Sequence, residues 1–294
     1  MIPIVFYHDD CIDGYAAAMA AYEYFDGEVQ LMPFSYGQPL PRDLIHDRGV
    51  YVLDFSFPEK DMDYLFQHSR STVWLDHHKT AFEMWLGEGR DYTVPYSGQM
   101  KEHHIVLDNG RSGAMIAWEW FMGAVPLIIS HIDDYDRWQF KLPNTKAVIK
   151  ALWSRQWTPS FWKVLSTLRE HSEFYSILIA EGEAILQSHM RNCESLAENA
   201  IPFTLQANGF WAGAIINCPH HMSSDVGHLL AKKYGLGLLW YVDSQGKVRC
   251  GLRGNGTIDV SKLAKCFGGG GHFSAAGFEG SFPLILEWMQ SVVK

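Results

Sequence analysis

Apolar residues in the first half of the chain fall into runs of two kinds. Short runs rich in Val, Ile, Tyr or Trp occupy 2–7, 49–54 and 71–76, and each predicts a buried strand. Between and after them, the Ala-rich stretch 14–25 and the segments 61–69, 112–122 and 126–132 predict helices. Strands alternating with helices predict a parallel sheet with βαβ crossovers. The stretch 161–200 has no strand pattern, and Phe174, Ile177, Leu178, Ile185, Leu186 and Met190 are spaced for one apolar helix face. Beyond it, strands are predicted at 203–205, 213–217, 238–242 and 248–252, with helices at 224–234 and 260–266. The expected fold class is α/β in two domains. A parallel-sheet domain covers 1–160, a helical connector 161–200, and a smaller α/β domain 201–294.

Parallel sheets bind ligands outside the carboxyl ends of their strands. At those ends stand His8 and Asp13, then Asp54, then Asp76-His77-His78. Three strands would thus deliver acids and imidazoles to one rim. Hard divalent ions take carboxylates, and Mn²⁺ accepts imidazole as well. A two-ion site needs a shared carboxylate and two or three further ligands for each ion. His8, Asp13, Asp54, His77 and an acid near Asp134 form a set of that size. Taken singly, each acid or histidine is as well read as a helix cap or loop residue; taken together on neighbouring strands, they are better read as a metal site.

Charge narrows the partners. The chain has 294 residues and a formal net charge of −9. A protein that grips long nucleic acid needs a basic face for the phosphates, so no long duplex partner is expected. A small or short anionic substrate remains. Five scattered cysteines without a C-x-x-C pair argue against disulfides and a structural zinc site. No apolar run approaches the ~20 residues of a membrane span, and the first residues lack a signal-peptide pattern. No membrane association is expected, and the cytoplasm is the default location.

A second constellation lies near the end of the chain, where Gly268 to Gly271 precede His272 and the small residues Ser274, Ala275, Ala276 and Gly277. Such a loop lets backbone approach an anion closely, and a helix after it would present free N–H groups. Arg253, just after a predicted strand, could supply charge. Other conspicuous residues take plainer readings. His103-His104 reads as a polar loop, His220-His221 as context for a helix start, and Trp118 and Trp120 as core.

The motifs, in this order, resemble the DHH phosphoesterases that carry a C-terminal DHHA1 domain. His8…Asp13-Gly14 is similar to the family's first motif, Leu53-Asp54-Phe55-Ser56 to its second, and Asp76-His77-His78 to its third. Residues 134–138, Asp-Tyr-Asp-Arg-Trp, are similar to the fourth, and Gly268 to Gly277 to the GGGH-x-x-AAG signature of DHHA1. The resemblance implies a parallel-sheet DHH domain holding two Mn²⁺ ions, with Mg²⁺ as an alternative. It makes Asp54 the bridging ligand, gives Asp13, His77 and Asp134 to one ion, and assigns His8 to the other. It places His78 towards phosphate with Asp76 orienting its neighbours. It gives substrate contacts to Arg253, Gly270, Gly271 and His272.

One position departs from the pattern. Where the first motif places an acid after its histidine, this chain has Cys11. Thiolate is a poor match to Mn²⁺, so Asp10 is preferred as the ligand and Cys11 is read as a small buried residue. Asp136 competes with Asp134 for the fourth motif. The expected activity is hydrolysis of short single-stranded RNA or a similar small phosphodiester, releasing nucleoside monophosphates. Alternatives are a phosphatase of 3′-phosphoadenosine 5′-phosphate, a linear or cyclic dinucleotide phosphodiesterase, an exopolyphosphatase, or a non-catalytic binding protein of the same fold. A homodimer is compatible with the sequence.

Overall fold

A computed structural model describes residues 1–86 and 103–290. The chain divides into two units, Met1–Leu186 and Gln187–Lys294.

The first unit contains β1 (Ile4–His8), α1 (Ile12–Tyr24), β2 (Gln30–Phe34), β3 (Gly49–Leu53), α2 (Glu59–His68), β4 (Ser71–Asp76), α3 (Lys79–Leu86) and β5 (His103–Leu107). Helices α4 (Gly113–Met122), α5 (Leu127–Asp136), α6 (Thr145–Trp153) and α7 (Pro159–Ser166) follow, and α8 (Glu173–Glu198) runs on into the second unit. All five strands pair in parallel, in the order β2-β1-β3-β4-β5. The parallel sheet is as expected from the alternating runs.

Period-two alternation sorts the strand side chains onto two faces. Val5, Tyr7, Leu53, Val73 and Leu75 join the core beneath α1, α4, α5 and α6. Ile4, Phe6, Val50, Val52, Trp74 and Ile105 join a second core with residues of α2 and α3. Each fully buried large side chain contributes about 1.5–3 kcal/mol, and a sheet covered on both faces accounts for the nearly unbroken apolar runs. Five buried alanines, Ala16 to Ala18 and Ala20 and Ala21 on either side of Met19, let α1 lie close to α4.

Two strands of this unit lack the local pattern of a buried strand. β2 carries Gln30 and a proline and is only partly buried, so it lacks the apolar run. β5 begins at His103, where the polar pattern favours a loop. In the fold that histidine is fully buried, and its Nδ1 accepts the Thr72 amide at 2.9 Å. A histidine can enter a strand this way because its ring nitrogen satisfies a buried donor.

The second unit contains β6 (Ile201–Gln206), β7 (Phe210–Asn217), α9 (Ser223–Tyr234), β8 (Leu236–Val242), β9 (Val248–Gly254), α10 (Val260–Cys266), β10 (Gly270–Gly271), β11 (Ala275–Gly280) and α11 (Phe282–Gln290). They form a six-stranded sheet in the order β10-β11-β9-β8-β7-β6, antiparallel except between β7 and β8. One core holds Leu238, Leu252 and Phe278 with Leu263 and Trp288 of the neighbouring helices, and the other holds Leu239 with Cys193, Val226 and Leu230. Residues 275–280, expected as a helix after the glycines, are a strand. Ala275 to Gly280 pair along β9 from Arg253 to Val248, so the backbone groups that a helix would free are spent in the ladder.

The expected connector over 161–200 comprises α7 and α8. Trp162, Leu165, Tyr175 and Leu178 pack into the core of the first unit, and Cys193 into a core of the second. Among the described residues, no helix is long and apolar enough to cross a membrane.

Candidate metal centre

Strand order places the site. In a sheet of order 2-1-3-4-5, neighbouring connections leave β1 and β3 in opposite directions, which opens a crevice at their carboxyl ends. His8 ends β1, Asp54 follows β3, and His77 and His78 follow β4. Asp13 enters from the first turn of α1, and Asp136 from the last residue of α5.

Asp54 is at the middle of the cluster. Its backbone is left-handed (φ 52°), a conformation that Asp tolerates better than most residues, and its side chain is 1 % exposed. Oδ1 lies 3.1 Å from Nε2 of His77 and 3.8 Å from Nδ1 of His78, while Oδ2 lies 3.8 Å from Nδ1 of His8. Nε2 of His77 also lies 3.7 Å from Asp13 Oδ2 and 3.6 Å from Asp136 Oδ2. Two groups therefore share Asp54. One is His77 with Asp13 and Asp136; the other is His8 with the Sγ of Cys11. Within each of the sets His8–Cys11–Asp54, Asp54–His77–His78 and Asp13–His77–Asp136, the ligand atoms lie within 4.8 Å of one another.

The electrostatics call for a cation. Both oxygens of Asp54 and Nδ1 of His8 are buried without a hydrogen-bond partner, a costly state for a carboxylate unless charge compensates it. Burial and the charges of Asp54 and Asp136 push Asp13 well above the usual carboxylate range. Burial likewise raises Asp136. For His77, burial opposes the charged form, but Asp54, Asp13 and Asp136 outweigh it and lift the ring to about 10. Asp54 ends low because His77 and His8 offset its burial. The His77 ring thus faces three acids. Three carboxylates and an imidazole converging on one point suit a divalent cation that prefers oxygen and nitrogen. The other group suits one less well. Cys11 supplies sulfur, a poor match to such an ion, and burial together with Asp54 and Asp13 pushes its thiol pKa up.

Supporting contacts fix this geometry. Asp76 is fully buried, and its Oδ1 accepts the amides of His77 (2.7 Å) and His78 (3.1 Å) and the Nδ1 of His78 (2.7 Å), while Oδ2 accepts Ser56 Oγ. With its capacity spent, Asp76 orients His77 and His78 and does not reach the crevice as a ligand. Its bond to Nδ1 leaves Nε2 as the other ring nitrogen of His78. Burial opposes a charge on His78, and Asp76 and Asp54 more than restore it, raising its pKa. The first amides of α4 hold Asp13: Gly113 N reaches Oδ2 at 2.7 Å, and Ala114 N reaches Oδ1 at 3.0 Å.

The structure sorts the ligands expected from the sequence. His8, Asp13, Asp54 and His77 come together. Asp10 does not: it is exposed, left-handed (φ 52°), and bonded through its amide to Asp9 Oδ1, while Cys11 occupies the place beside His8. Asp134 does not either. It is buried on another side of α5, accepting Lys141 N, Leu142 N and Thr145 Oγ1 at 2.7, 3.1 and 2.7 Å, and Asp136 stands in the cluster. Sequence reasoning missed Gly113. A Cβ there would lie 2.4 Å from Asp54 Cβ, so only glycine lets α4 approach. The signal was Ser112-Gly113 at the head of a predicted helix, with Ser112 as its N-cap. His220-His221 open the short helix before α9 and join no ligand cluster among the described residues. Trp118 is core, whereas Trp120 is 41% exposed.

In the second unit, the expected substrate contacts share one end of the sheet. Arg253 pairs in register with Ala275, and the His272 amide bonds to Ala275 O at 2.7 Å across the turn between β10 and β11. Gly269 and Gly271 allow that approach, since a Cβ at either would fall within 2.5 Å of β11 backbone. Gly270 has open space beside it, and His272 is exposed. Arg253 is half-buried and donates to Ser224 Oγ and its neighbour's carbonyl.

Comparisons with known proteins place this architecture. No family model matches the chain. It is 25% identical over 298 residues to an uncharacterized protein of Acanthamoeba polyphaga mimivirus, which covers 94% of this chain and 67% of that one. In structure it is similar to a pGpG-specific phosphodiesterase from Vibrio cholerae, with TM-score 0.51, 11% identity, 98% of this chain and 96% of that one. It is also similar to RecJ from Thermus thermophilus, solved in complex with Mn²⁺, with TM-score 0.52, 12% identity and 97% of this chain; this chain spans half of RecJ. The chain has the fold of the DHH phosphoesterases.

Proposed function

We propose that the protein is a metal-dependent phosphodiester hydrolase acting on short oligoribonucleotides or similar small diesters and releasing nucleoside monophosphates. One observation carries this reading: the two buried oxygens of Asp54 face two different ligand groups, Oδ1 towards His77 and Oδ2 towards His8. That is the arrangement of a carboxylate shared by two ions.

Asp13, His77 and Asp136 would hold one ion with Asp54, and His8 would hold the other with Asp54 beside Cys11. Mn²⁺ fits the mixed oxygen and imidazole donors, and the relative solved with Mn²⁺ has the same fold. When bound, such ions supply a Lewis acid for the phosphoryl group and its attacking water. The chain's own residues do the rest. Asp76 holds the Nδ1 proton of His78 and, with Asp54, favours the charged ring; the imidazolium then carries a second proton on Nε2, which it can offer to the anionic phosphate or the departing oxygen. Ser56 and the His77 and His78 amides keep Asp76 fixed, so the imidazole does not reorganise during the reaction. Arg253 and His272 offer an anion contact on the second unit.

Two features favour a small substrate. The net charge of −9 opposes long phosphate chains, and the relative of similar length is described as specific for pGpG. Linear dinucleotides therefore join RNA of two to five nucleotides at the head of a substrate panel. Purified protein with Mn²⁺ should convert them to monophosphates, and Asp54→Ala should abolish the reaction. Intact substrates after incubation with metal-loaded protein would overturn the proposal. A non-catalytic binding role has one observation in its favour, Cys11 in place of an acid. Less than one bound ion per chain together with no turnover would establish it.

A further inference from the structure

Asp134, absent from the metal cluster, secures a loop whose construction calls for a purpose. Residues 137–144 connect α5 to α6, and Trp138, Phe140 and Asn144 within it are all left-handed, with φ of 54°, 52° and 66°. Bulky aromatic residues rarely adopt this conformation, and where they do the surrounding structure must over-determine it. Asp134 does that. Its backbone carbonyl accepts Gln139 N at 2.9 Å and Phe140 N at 3.4 Å, and its carboxylate accepts Lys141 N, Leu142 N and Thr145 Oγ1. Behind it stands a fixed relay. Thr145 Oγ1 gives its proton to Asp134, so it accepts from His131 Nδ1–H at 2.9 Å. His131 Nε2 then accepts from Tyr175 OH at 2.8 Å.

The loop leaves the end of α5 that carries Asp136 and presents an indole to solvent. Trp138 is 40% exposed, although a side chain of that size is normally covered. It lies two residues after Asp136, so their Cα atoms are at most ~7 Å apart. Phe140 meets it edge-on at 4.8 Å (73°), and Lys146 Nζ sits 4.3 Å from the Phe140 ring centre and 5.8 Å from that of Trp138. Phe140, Thr145 and Lys146 also line an open hollow of about 250 Å³. An aromatic face with an ammonium beside it matches one ligand chemistry above others: a flat nucleobase carrying phosphate.

We propose that Trp138, with Phe140 and Lys146, is a nucleobase-stacking subsite for the nucleotide whose phosphate lies at the metal cluster, and that Asp134 is its positioning residue. This rests on the phosphodiesterase reading and adds that the substrate is recognised by its base. Stacking tolerates every base, so the subsite selects nucleotides over sugar phosphates and does not read sequence.

The test compares wild type with Trp138→Ala, Trp138→Phe and Lys146→Ala, each checked for Mn²⁺ binding to show that the cluster is intact. With a diadenylate substrate, Trp138→Ala should raise KM about 5- to 150-fold, the range that stacking of one base is worth, while Trp138→Phe stays near wild type. With a base-free ribose-phosphate diester the proteins should converge. Unchanged KM for diadenylate in Trp138→Ala with Mn²⁺ binding retained overturns the subsite and leaves the phosphodiesterase reading standing. If wild type hydrolyses no diester, that reading has failed, and the subsite is judged by saturation-transfer NMR with AMP. Transfer to the base protons in wild type and its loss in Trp138→Ala sustain the subsite; equal transfer in both, or none in either, overturns it.

Discussion

Gly113→Ala tests whether the approach of α4 to β3 builds the metal centre. The substitution adds one methyl group, which would sit 2.4 Å from Asp54 Cβ and 2.7 Å from its Oδ1. Carbon atoms in contact prefer about 3.5–4.0 Å, so one side must yield by more than about 1 Å. Neither can do so freely. Asp54 follows β3 in a left-handed turn with its amide bonded to Leu75 O at 2.9 Å, and the Gly113 amide is itself bonded to Asp13. Retreat of α4 releases Asp13, and rotation of Asp54 removes the shared ligand. Overpacking costs about 1–3 kcal/mol, and the helix preference for Ala over Gly returns up to about 1 kcal/mol. Stability should therefore fall by no more than about 3 kcal/mol, a loss of several degrees in Tm.

Metal binding should suffer far more than stability, because two ligands move together. Calorimetric titration with Mn²⁺ should show at least one ion lost, and a 1 Å displacement of reacting groups alone costs about 100-fold in rate. Gly49→Ala is the control, since a Cβ there meets its nearest atom at an ordinary 3.5 Å. If Gly113→Ala titrates like wild type and keeps its Tm, the close approach is not what shapes the site, and the argument for Gly113 is wrong.

Three further outcomes follow from named contacts. Asp136→Asn should weaken Mn²⁺ binding by more than the about 10–100-fold typical of groups behind the ligands, whereas Asp134→Asn should leave Mn²⁺ affinity alone and loosen the loop after α5, read as faster amide exchange at Lys141 and Leu142. Cys11→Asp, which replaces a thiol with a hard donor beside His8 and Asp54, should tighten the weaker ion in the same titration; an unchanged isotherm would remove Cys11 from the site. His131 is held neutral because burial lowers its pKa below 6.5, and its Nε2 accepts from Tyr175. Below about pH 6.5 the unfolded chain takes up a proton that the folded chain refuses, so stability falls as pH drops from there towards the depressed folded value. His131→Gln should flatten that part of the denaturant-midpoint profile, and parallel profiles for the two proteins would refute the assignment.

The sequence showed those parts of the fold in which each residue's local preference agrees with its final position. β1, β3 and β4 are buried on both faces, so their apolar runs are unbroken and their ends, with His8, Asp54 and Asp76, could be read directly. β2 and β5 could not, because Gln30 and His103 satisfy tertiary hydrogen bonds that no local pattern records. The glycine run near the C-terminus suits a helix after it by local pattern. A register with β9 makes that segment a strand instead, and register is a long-range property.

Asp134 and Asp136 show where motif reading stops. Both fit the fourth motif, and the resemblance alone assigns the ligand to Asp134 with Asp136 as its competitor. On a helix, however, residues two apart point about 200° away from each other, so α5 cannot direct both carboxylates into one site. The side on which α5 packs then decides. His131 is fully buried and tied to Thr145 and Tyr175, and Asp134, three residues on, lies on the same flank. That orientation turns Asp136 towards His77. Cys11 follows the same logic at the start of α1. Asp13 is pinned by the amides of Gly113 and Ala114, which sets the helix phase, and the residue two positions earlier is carried to His8 whatever its type. The backbone thus reserves a ligand position that this chain fills with sulfur, so the two halves of the centre should differ in metal affinity even though they share Asp54.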